Sequence, residues 1–386
     1  MNRPLLLLID GRSLTLPSVG VGVYALRLIQ GLLRQAPDLN FKVLLPPEIK
    51  PSDLGIPESR MIALPTPPRL GNQYIESFVS NIQVTLFLRK HHPDAVFHAT
   101  NAFWSPLRPH CTLITMHDVI PRRFPRYFGR TPLRRIMQRL QERFAAGAKH
   151  VLAVSRCTAD DLTTLAGIPS DKISVHYNWV GEEFARWNRA TAQQQIANLL
   201  EKYHLPSNYW LYLGGYDYRK NVEFLIRAYA SAKHRSPVKL PPLVLAGQIP
   251  TDLSKPYCDV DGALRATGLT AEDIVMPGRI ASDDLPTLYG AASLLIYPSL
   301  FEGFGYPAAE AMAVGTPLLV SDSSSLPEVV RTSECRFDPT NLESLTAKLL
   351  EAGVDAQKFI SPLPLEFTEK EAIRTYVKLV MTKAIG

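Results

Sequence analysis

Two carboxylates, Glu302 and Glu310, stand with seven residues between them in the run PSLFEGFGYPAAEAMAVGTPLLVSDSSSLP, Pro298 to Pro327. An ionised carboxylate only accepts hydrogen bonds, so this pair suits a hydroxyl-rich partner rather than a phosphate. Gly303 and Gly305 remove side chains where a ligand would have to approach the backbone, and Pro307 suits a first helical position, where its missing N–H costs nothing. The loop from Glu302 to Gly305 thus delivers a helix N-terminus, and the N–H groups of Gly303, Phe304, Gly305 and Tyr306 offer an anion site. A polyol beside a phosphate describes a nucleotide sugar. The plainer alternative is an ordinary strand-to-helix turn with two solvated glutamates.

A second constellation follows the apolar run Trp210 to Leu213: Gly214-Gly215-Tyr-Asp-Tyr-Arg219-Lys220-Asn221. Arg219 and Lys220 stand at the start of a helix, where basic side chains oppose the dipole, so an anion is expected to offset them. A solvated basic turn is the alternative. Two more polar clusters end short apolar runs in the first half: His98-Ala-Thr-Asn101 after Ala95 to His98, and His117-Asp118 after Thr112 to Met116. In open parallel sheets ligands bind beyond the carboxyl ends of strands, and both clusters are placed accordingly. By itself a lone histidine after a strand, such as His117, is more often a structural hydrogen-bonder. Gly20, Gly22 and Ala25 fit G-x-G-x-x-A formally, but about ten residues separate them from the preceding strand, where a dinucleotide turn must be immediate. That loop and helix start could still touch a phosphate or an acceptor.

These groups are positioned by alternating strands and helices in two series, which means two doubly wound α/β domains. A length of 386 residues fits two domains of ordinary size, and 46% hydrophobic with 20% charged residues excludes a disordered chain. The four cysteines (Cys111, Cys157, Cys258, Cys335) lie far apart with no C-x-x-C, as expected for reduced thiols in a cytosolic protein with no disulfide frame and no zinc site. The apolar run Leu5 to Ile9 is too short for a signal-peptide core or a membrane span. Net charge is +6, yet Arg122 to Arg143 carries eight arginines against one glutamate, so the remainder is near neutral. After Pro132 this stretch reads as a helix with Leu133, Ile136, Met137, Leu140 and Phe144 on one stripe and Arg134, Arg135, Arg139 and Arg143 largely off it. It is either a core helix with a solvated basic face or a surface for anionic lipid or a lipid-pyrophosphate acceptor. No recognition motif for nucleic acid accompanies it. Residues 46 to 71 are proline-rich and irregular, and Thr368 to Ile385 is a final amphipathic helix with Ala372, Ile373, Tyr376, Leu379 and Val380 on one side.

The run through Glu302, Phe304, Gly305, Pro307, Glu310, Ala311, Met312, Gly315, Pro317, Ser321, Pro327 and Glu328 resembles the E-x7-E signature of the retaining glycosyltransferases of the GT-B fold, in particular family 4 (group 1). HDVIPRRFP around His117 and GGYDYRKN around Lys220 are most similar to its mannosyltransferase and O-antigen-type members. The resemblance spans nearly the whole chain and is densest from 209 to 330. It implies two Rossmann-like domains facing a cleft: an acceptor-binding domain over 1–195, a nucleotide-sugar domain over 196–366, and a terminal helix, 367–386, crossing back to the first. It implies that His117 bonds the donor sugar near the reacting carbon, that Lys220 with Arg219, Gly214 and Gly215 takes the diphosphate, and that Glu302 with the N–H groups of Gly303 to Tyr306 holds the sugar and β-phosphate. Glu310 falls to the ribose, Arg279 and Ile280 to the vicinity of the base, and Gly20, Gly22, Asn101 and Asp118 to the acceptor or mouth loop. Many members carry an arginine where this chain has Gly215, and the usual Asn-Gly-Val-Asp is here Asn178-Trp179-Val180-Gly181.

The reaction so implied is retaining transfer of a hexose, first of all mannose from GDP-mannose, to a saccharide or lipid-linked saccharide in surface polysaccharide synthesis. No cofactor or metal is needed if Lys220 and Arg219 suffice for the leaving diphosphate. The expected place is the cytoplasm, peripherally on the inner face of the plasma membrane. A nucleotide-sugar epimerase of the same fold, and a non-catalytic nucleotide-sugar or membrane-binding module, are the alternatives.

Overall fold

The computed structural model describes residues 5–15, 20–64, 71, 73–103, 105, 111–128, 132–248 and 257–384. The chain forms two compact units, Met1–Asn178 with Glu369–Gly386, and Trp179–Thr368. The division falls after Asn178, upstream of the boundary expected at 195: the chain from Trp179 onward already packs with the second unit, where Trp179, Val180 and Phe184 are buried and Val180 N donates to Phe367 O.

The first unit holds a seven-stranded sheet in the order β3-β2-β1-β4-β5-β6-β7. Its strands are β1 (Leu7–Asp10), β2 (Phe41–Leu45), β3 (Met61–Ala63), β4 (Val96–Ala99), β5 (Cys111–Met116), β6 (His150–Ala153) and β7 (Ile173–Val175). The second holds six in the order β10-β9-β8-β11-β12-β13. These are β8 (Trp210–Leu213), β9 (Leu243–Ala246), β10 (Ile274–Gly278), β11 (Leu294–Tyr297), β12 (Leu318–Ser321) and β13 (Arg336–Phe337). Every described pairing within both sheets is parallel. Helices cover both faces of such a sheet, so its strands are continuous apolar runs rather than alternating ones. β1, β9, β11 and β12 are buried at every position.

The order of each sheet reverses once, between β1 and β4 and between β8 and β11. Crevices at such switch points, outside the carboxyl ends of the strands, are where doubly wound sheets bind ligands. Asp10 closes β1 and Thr100 and His117 lie beyond the ends of β4 and β5 in the first unit, as Lys220 and Glu302 lie beyond those of β8 and β11 in the second.

Part of the stretch expected to be irregular is ordered: residues Met61–Ala63 form the edge strand β3. A helix at Gln73–His91 was not expected at all. Its apolar residues are spread around the axis, with Val84 and Leu88 buried but Ile75 and Leu86 exposed, so no one-sided stripe marks it. The terminal helix, Glu369–Leu379, belongs to the first unit and packs on the helix Gly20–Gln35. Arg34 pairs with Glu369, Ile373 lies where a side chain at Gly31 would stand, and Tyr376 is buried. Ile385 lies outside the described residues.

Candidate functional site

In the second unit the chain leaves β8 through Gly214 and Gly215 and makes a short 3-10 turn, Tyr218–Lys220. Asn221 follows in the left-handed region (φ 58°), and only then does the helix Val222–Arg235 begin. Arg219 and Lys220 therefore precede that helix instead of occupying its first turn. The offsetting anion is the protein's own. Lys220 Nζ donates to Glu302 Oε1 at 2.7 Å and to Tyr297 Oη at 2.9 Å, and Tyr297 Oη donates to the same Oε1 at 2.7 Å. Arg219 Nη1 donates to Glu302 Oε2 at 2.9 Å and to Phe301 O at 3.1 Å, and its Nε lies 3.0 Å from Asp217 Oδ1. Two cations and two carboxylates thus balance in one cluster, with Lys220 and Glu302 both 8% exposed.

Burial by itself would raise the Glu302 carboxyl, but Lys220 and Arg219 override it and hold it down at about 2. Burial draws the Lys220 ammonium below its usual range against the pull of Glu302. The reading of two solvated glutamates is excluded, since Glu310 is buried as well. Glu310 bonds elsewhere: Tyr289 Oη donates to its Oε2 at 3.1 Å.

The loop after β11 is held by the segment that follows β12. Ser324, itself in the left-handed region (φ 54°), accepts from Glu302 N at 2.9 Å, and Ser325 Oγ donates to Glu302 O and Phe304 O. Gly305 has φ 108°, which glycine alone adopts easily, and a side chain there would meet Leu326. The helix Tyr306–Val314 starts immediately after it, with Pro307 in its first turn. Among the described residues nothing accepts from the N–H groups of Phe304 and Gly305, so both remain available to a ligand.

Gly214 has no room for a side chain, because Tyr212 Oη would lie 2.8 Å from it. At Gly215 the nearest atom is Asp217 Oδ2 at 3.7 Å, so the position could hold the arginine that related sequences often carry. Arg279 and Ile280 follow the edge strand β10, which β9 separates from β8; Arg279 is exposed and Ile280 buried. Asp259-Val-Asp261 has the spacing of a cation-binding carboxylate pair, but Asp259 Oδ1 caps the helix Val260–Thr267 by accepting from Gly262 N at 2.8 Å.

In the first unit a cavity of about 330 Å³ gathers His117, Asp118 and Asn101 beside Val21. Gly20 and Gly22 lie within the helix Gly20–Gln35, not in a loop, and Gly22 is buried. His117 Nε2 lies 2.9 Å from Thr100 O. A carbonyl can only accept, so Nε2 carries the proton and Nδ1 is the ring's acceptor. Loss of solvent pushes the imidazole down to about 4, against the Thr100 bond, so it is neutral at ordinary pH. Tyr24 packs edge-on against the ring with centroids 5.0 Å apart. Asp118 Oδ1 accepts from Ile120 N at 3.0 Å and so anchors the loop.

Beneath the cavity His98 is fully buried between Thr115 (2.8 Å) and Tyr376 (2.7 Å), and Tyr24 Oη meets Thr115 Oγ1 at 3.0 Å. Burial lowers His98 to about 3 and His176 to about 4. His98, expected in the polar cluster after β4, is therefore a core residue.

The basic stretch is partly spent inside the fold. Arg122 holds Glu142 and Arg123 holds Asp161, each through two guanidinium nitrogens. The helix Pro132–Ala146 does not turn its whole apolar stripe inward: Phe144 is buried and Met137 lines the cavity, but Leu133 and Ile136 are 44% and 52% exposed. Gln138 and Gln141 line the cavity too, and the sequence reading did not single them out. Their signal was present, since Gln138, Gln141 and Glu142 share one helical face, and Gln138 Nε2 donates to Glu142 Oε1. Arg130 lies outside the described residues. No described helix is long and apolar enough to cross a membrane.

Residues 199–358 match the family profile of the glycosyl transferases group 1, and residues 19–184 that of Glycosyltransferase Family 4. The chain is 33% identical over 250 residues to the serotype-specific mannosyltransferase WbdA of Escherichia coli, covering 64% of this chain but only 30% of that protein. It is 30% identical over 263 residues to an Escherichia coli O-antigen chain mannosyltransferase B, covering 68% of this chain and 66% of the relative. Its backbone resembles that of Anabaena HepE, solved in complex with UDP-glucose, with a TM-score of 0.66 and 15% identity over 98% of this chain and all of the other.

Proposed function

We propose that this chain, which belongs to the family 4 (group 1) glycosyltransferases of the GT-B fold, transfers a mannosyl residue from a nucleoside diphosphate, GDP first of all, to a saccharide acceptor with retention of configuration. The observation that carries the reading is the buried Lys220–Arg219–Glu302 cluster at the β8/β11 switch point, beside the unshared N–H groups of Phe304 and Gly305. A diphosphate entering there exchanges places with Glu302 as the partner of the two cations. Glu302 is then released to accept hydrogen bonds from sugar hydroxyls. Lys220, Arg219 and the helix N-terminus stabilise the charge that grows on the leaving diphosphate, which is work a metal would otherwise do. Glu310 binds ribose hydroxyls, and Arg279 and Ile280 lie near the base. In the first unit His117, neutral and fixed by Thr100, bonds the sugar being transferred. Exposed Leu133 and Ile136, interleaved with Arg135 and Arg139, suit an anionic membrane surface that carries a lipid-linked acceptor. The mannosyltransferases among the relatives support mannose as the sugar.

The test is a calorimetric titration with GDP, UDP and dTDP, with and without magnesium, on the wild type and Lys220→Ala. Binding of GDP alone, independent of magnesium and lost in Lys220→Ala, is expected. Equal affinity for all three, or binding that requires magnesium, defeats the donor assignment. Binding of none defeats the transferase reading. The anomeric configuration of the product, read by NMR, tests retention, and flotation with anionic vesicles tests the membrane surface.

A further inference from the structure

The cavity beside His117 differs in charge from the helix that walls it. Although Pro132–Ala146 lies in the most basic stretch of the chain, no lysine or arginine is among the described residues lining the cavity. Among the described lining residues the charged groups are both carboxylates, Asp118 and Glu142, and His117 is neutral with its one N–H committed to Thr100. Arg122, which could have offered a guanidinium, is held on Glu142. The other polar residues among the described lining are Ser77, Asn101, Gln138 and Gln141. Amides and hydroxyls both donate and accept, as a sugar hydroxyl does, whereas a phosphate only accepts. Met116 and Met137 supply an apolar surface for the C–H face of a ring. The volume lies at the small end of ligand pockets, which run from about 300 to 1,000 Å³.

We propose that this cavity receives the uncharged terminal sugar ring of the acceptor, with Gln138 and Gln141 reading its hydroxyls, and that it excludes a phosphate-bearing group. The inference rests on the glycosyltransferase reading and deepens it: the enzyme lengthens an existing neutral glycan and does not place the first sugar on a lipid phosphate. An earlier transferase that glycosylates the lipid phosphate must therefore supply its acceptor.

The experiment compares methyl α-D-mannopyranoside with its 6-phosphate by saturation-transfer NMR on the GDP-saturated full chain, in wild type, Gln141→Leu, Gln138→Leu and Gln141→Lys. The wild type is expected to prefer the neutral mannoside by at least about tenfold, the scale of an unfavourable charged contact. Either Leu variant is expected to lose about fivefold for it, as for one neutral hydrogen bond. Gln141→Lys is expected to reverse the preference. Two Leu positions and a melting curve for each keep a folding defect from passing as a binding effect. Equal or tighter binding of the phosphate by the wild type overturns the proposal, and so does GDP binding with no detectable binding of either mannoside. Failure of GDP to bind strikes the transferase reading instead, and the two mannosides still report which charge the cavity accepts.

Discussion

Both units place polar side chains at the carboxyl ends of a parallel sheet, but the first buries a set of neutral histidines there and the second a cluster of ions. Around His117 the buried imidazoles meet hydroxyls and a backbone carbonyl, the buried carboxylate of the cavity wall, Glu142, is taken up by Arg122, and burial holds His98, His117 and His176 unprotonated. Around Glu302 the buried groups are ions that tolerate desolvation because each has a partner within 3.0 Å. A neutral network can be lined by methionines and lose little. An ionic cluster is stable only while complete, because removing one member leaves another charge buried and unpaired. The first arrangement suits recognition of an uncharged sugar, the second the exchange of one anion for another.

The largest expected effect is therefore in the second unit. Lys220→Ala leaves Glu302 with Arg219 as its remaining cation; kcat/KM is expected to fall by at least about 10²–10³-fold, and stability by as much as about 3–5 kcal/mol. Donor titration and urea melts check both, and a variant with wild-type donor affinity would remove the cluster from the site. His117→Ala is expected to lower turnover by about 10²-fold, the scale of one lost transition-state hydrogen bond, while GDP affinity stays unchanged. Isothermal titration beside steady-state kinetics separates the two, and a lost GDP affinity would blur the contrast between the units.

Acid should reach the first unit before the second. His98, His117 and His176 take up protons in the unfolded chain as pH falls through 6.5 but resist in the fold down to about 3 for His98 and about 4 for the others. Stability of the first unit is thus full above pH 6.5 and falls as pH drops toward 4, by up to about 1.4 kcal/mol per pH unit for each proton. Glu302, held at about 2 against an ordinary 4.5, costs the second unit stability only as pH falls below 4.5. Hydrogen exchange by mass spectrometry between pH 7 and 4 should show β4 and β5 opening first; simultaneous opening would argue against the difference. The smallest effect is Tyr376→Phe, which leaves His98 Nδ1 without its partner and should cost about 1–3 kcal/mol. Thermal melts would show it, together with faster exchange in the terminal helix.

Much of this was legible along the chain. Trp210 to Leu213, Leu243 to Ala246 and Leu294 to Tyr297 read as strands because a doubly covered parallel strand is a bare apolar run. Pro307 after Gly305 announced a helix start. The helix Gln73–His91 was not legible, because its burial is shared among several faces and leaves no stripe. The dipole argument placed Arg219 and Lys220 in the first turn of a helix and asked for a bound anion; the left-handed turn at Asn221, which leaves no mark in composition, sets them before that helix, and the anion they meet is Glu302.

The sequence by itself determined the two α/β units, the strand ends at which chemistry must sit, and the residue types available there, because strand and helix periods and glycine–proline punctuation act over a few residues. Only the tertiary structure decided which of those residues meet. Glu302 reaches Lys220 across 82 residues of chain, and Tyr376 reaches His98 across 278. Such pairings depend on the order of strands in a sheet, which no local pattern records. Burial followed from the same packing and made His117 a neutral base, while Lys220 and Arg219, packed against Glu302, kept that carboxylate an ion in spite of its burial.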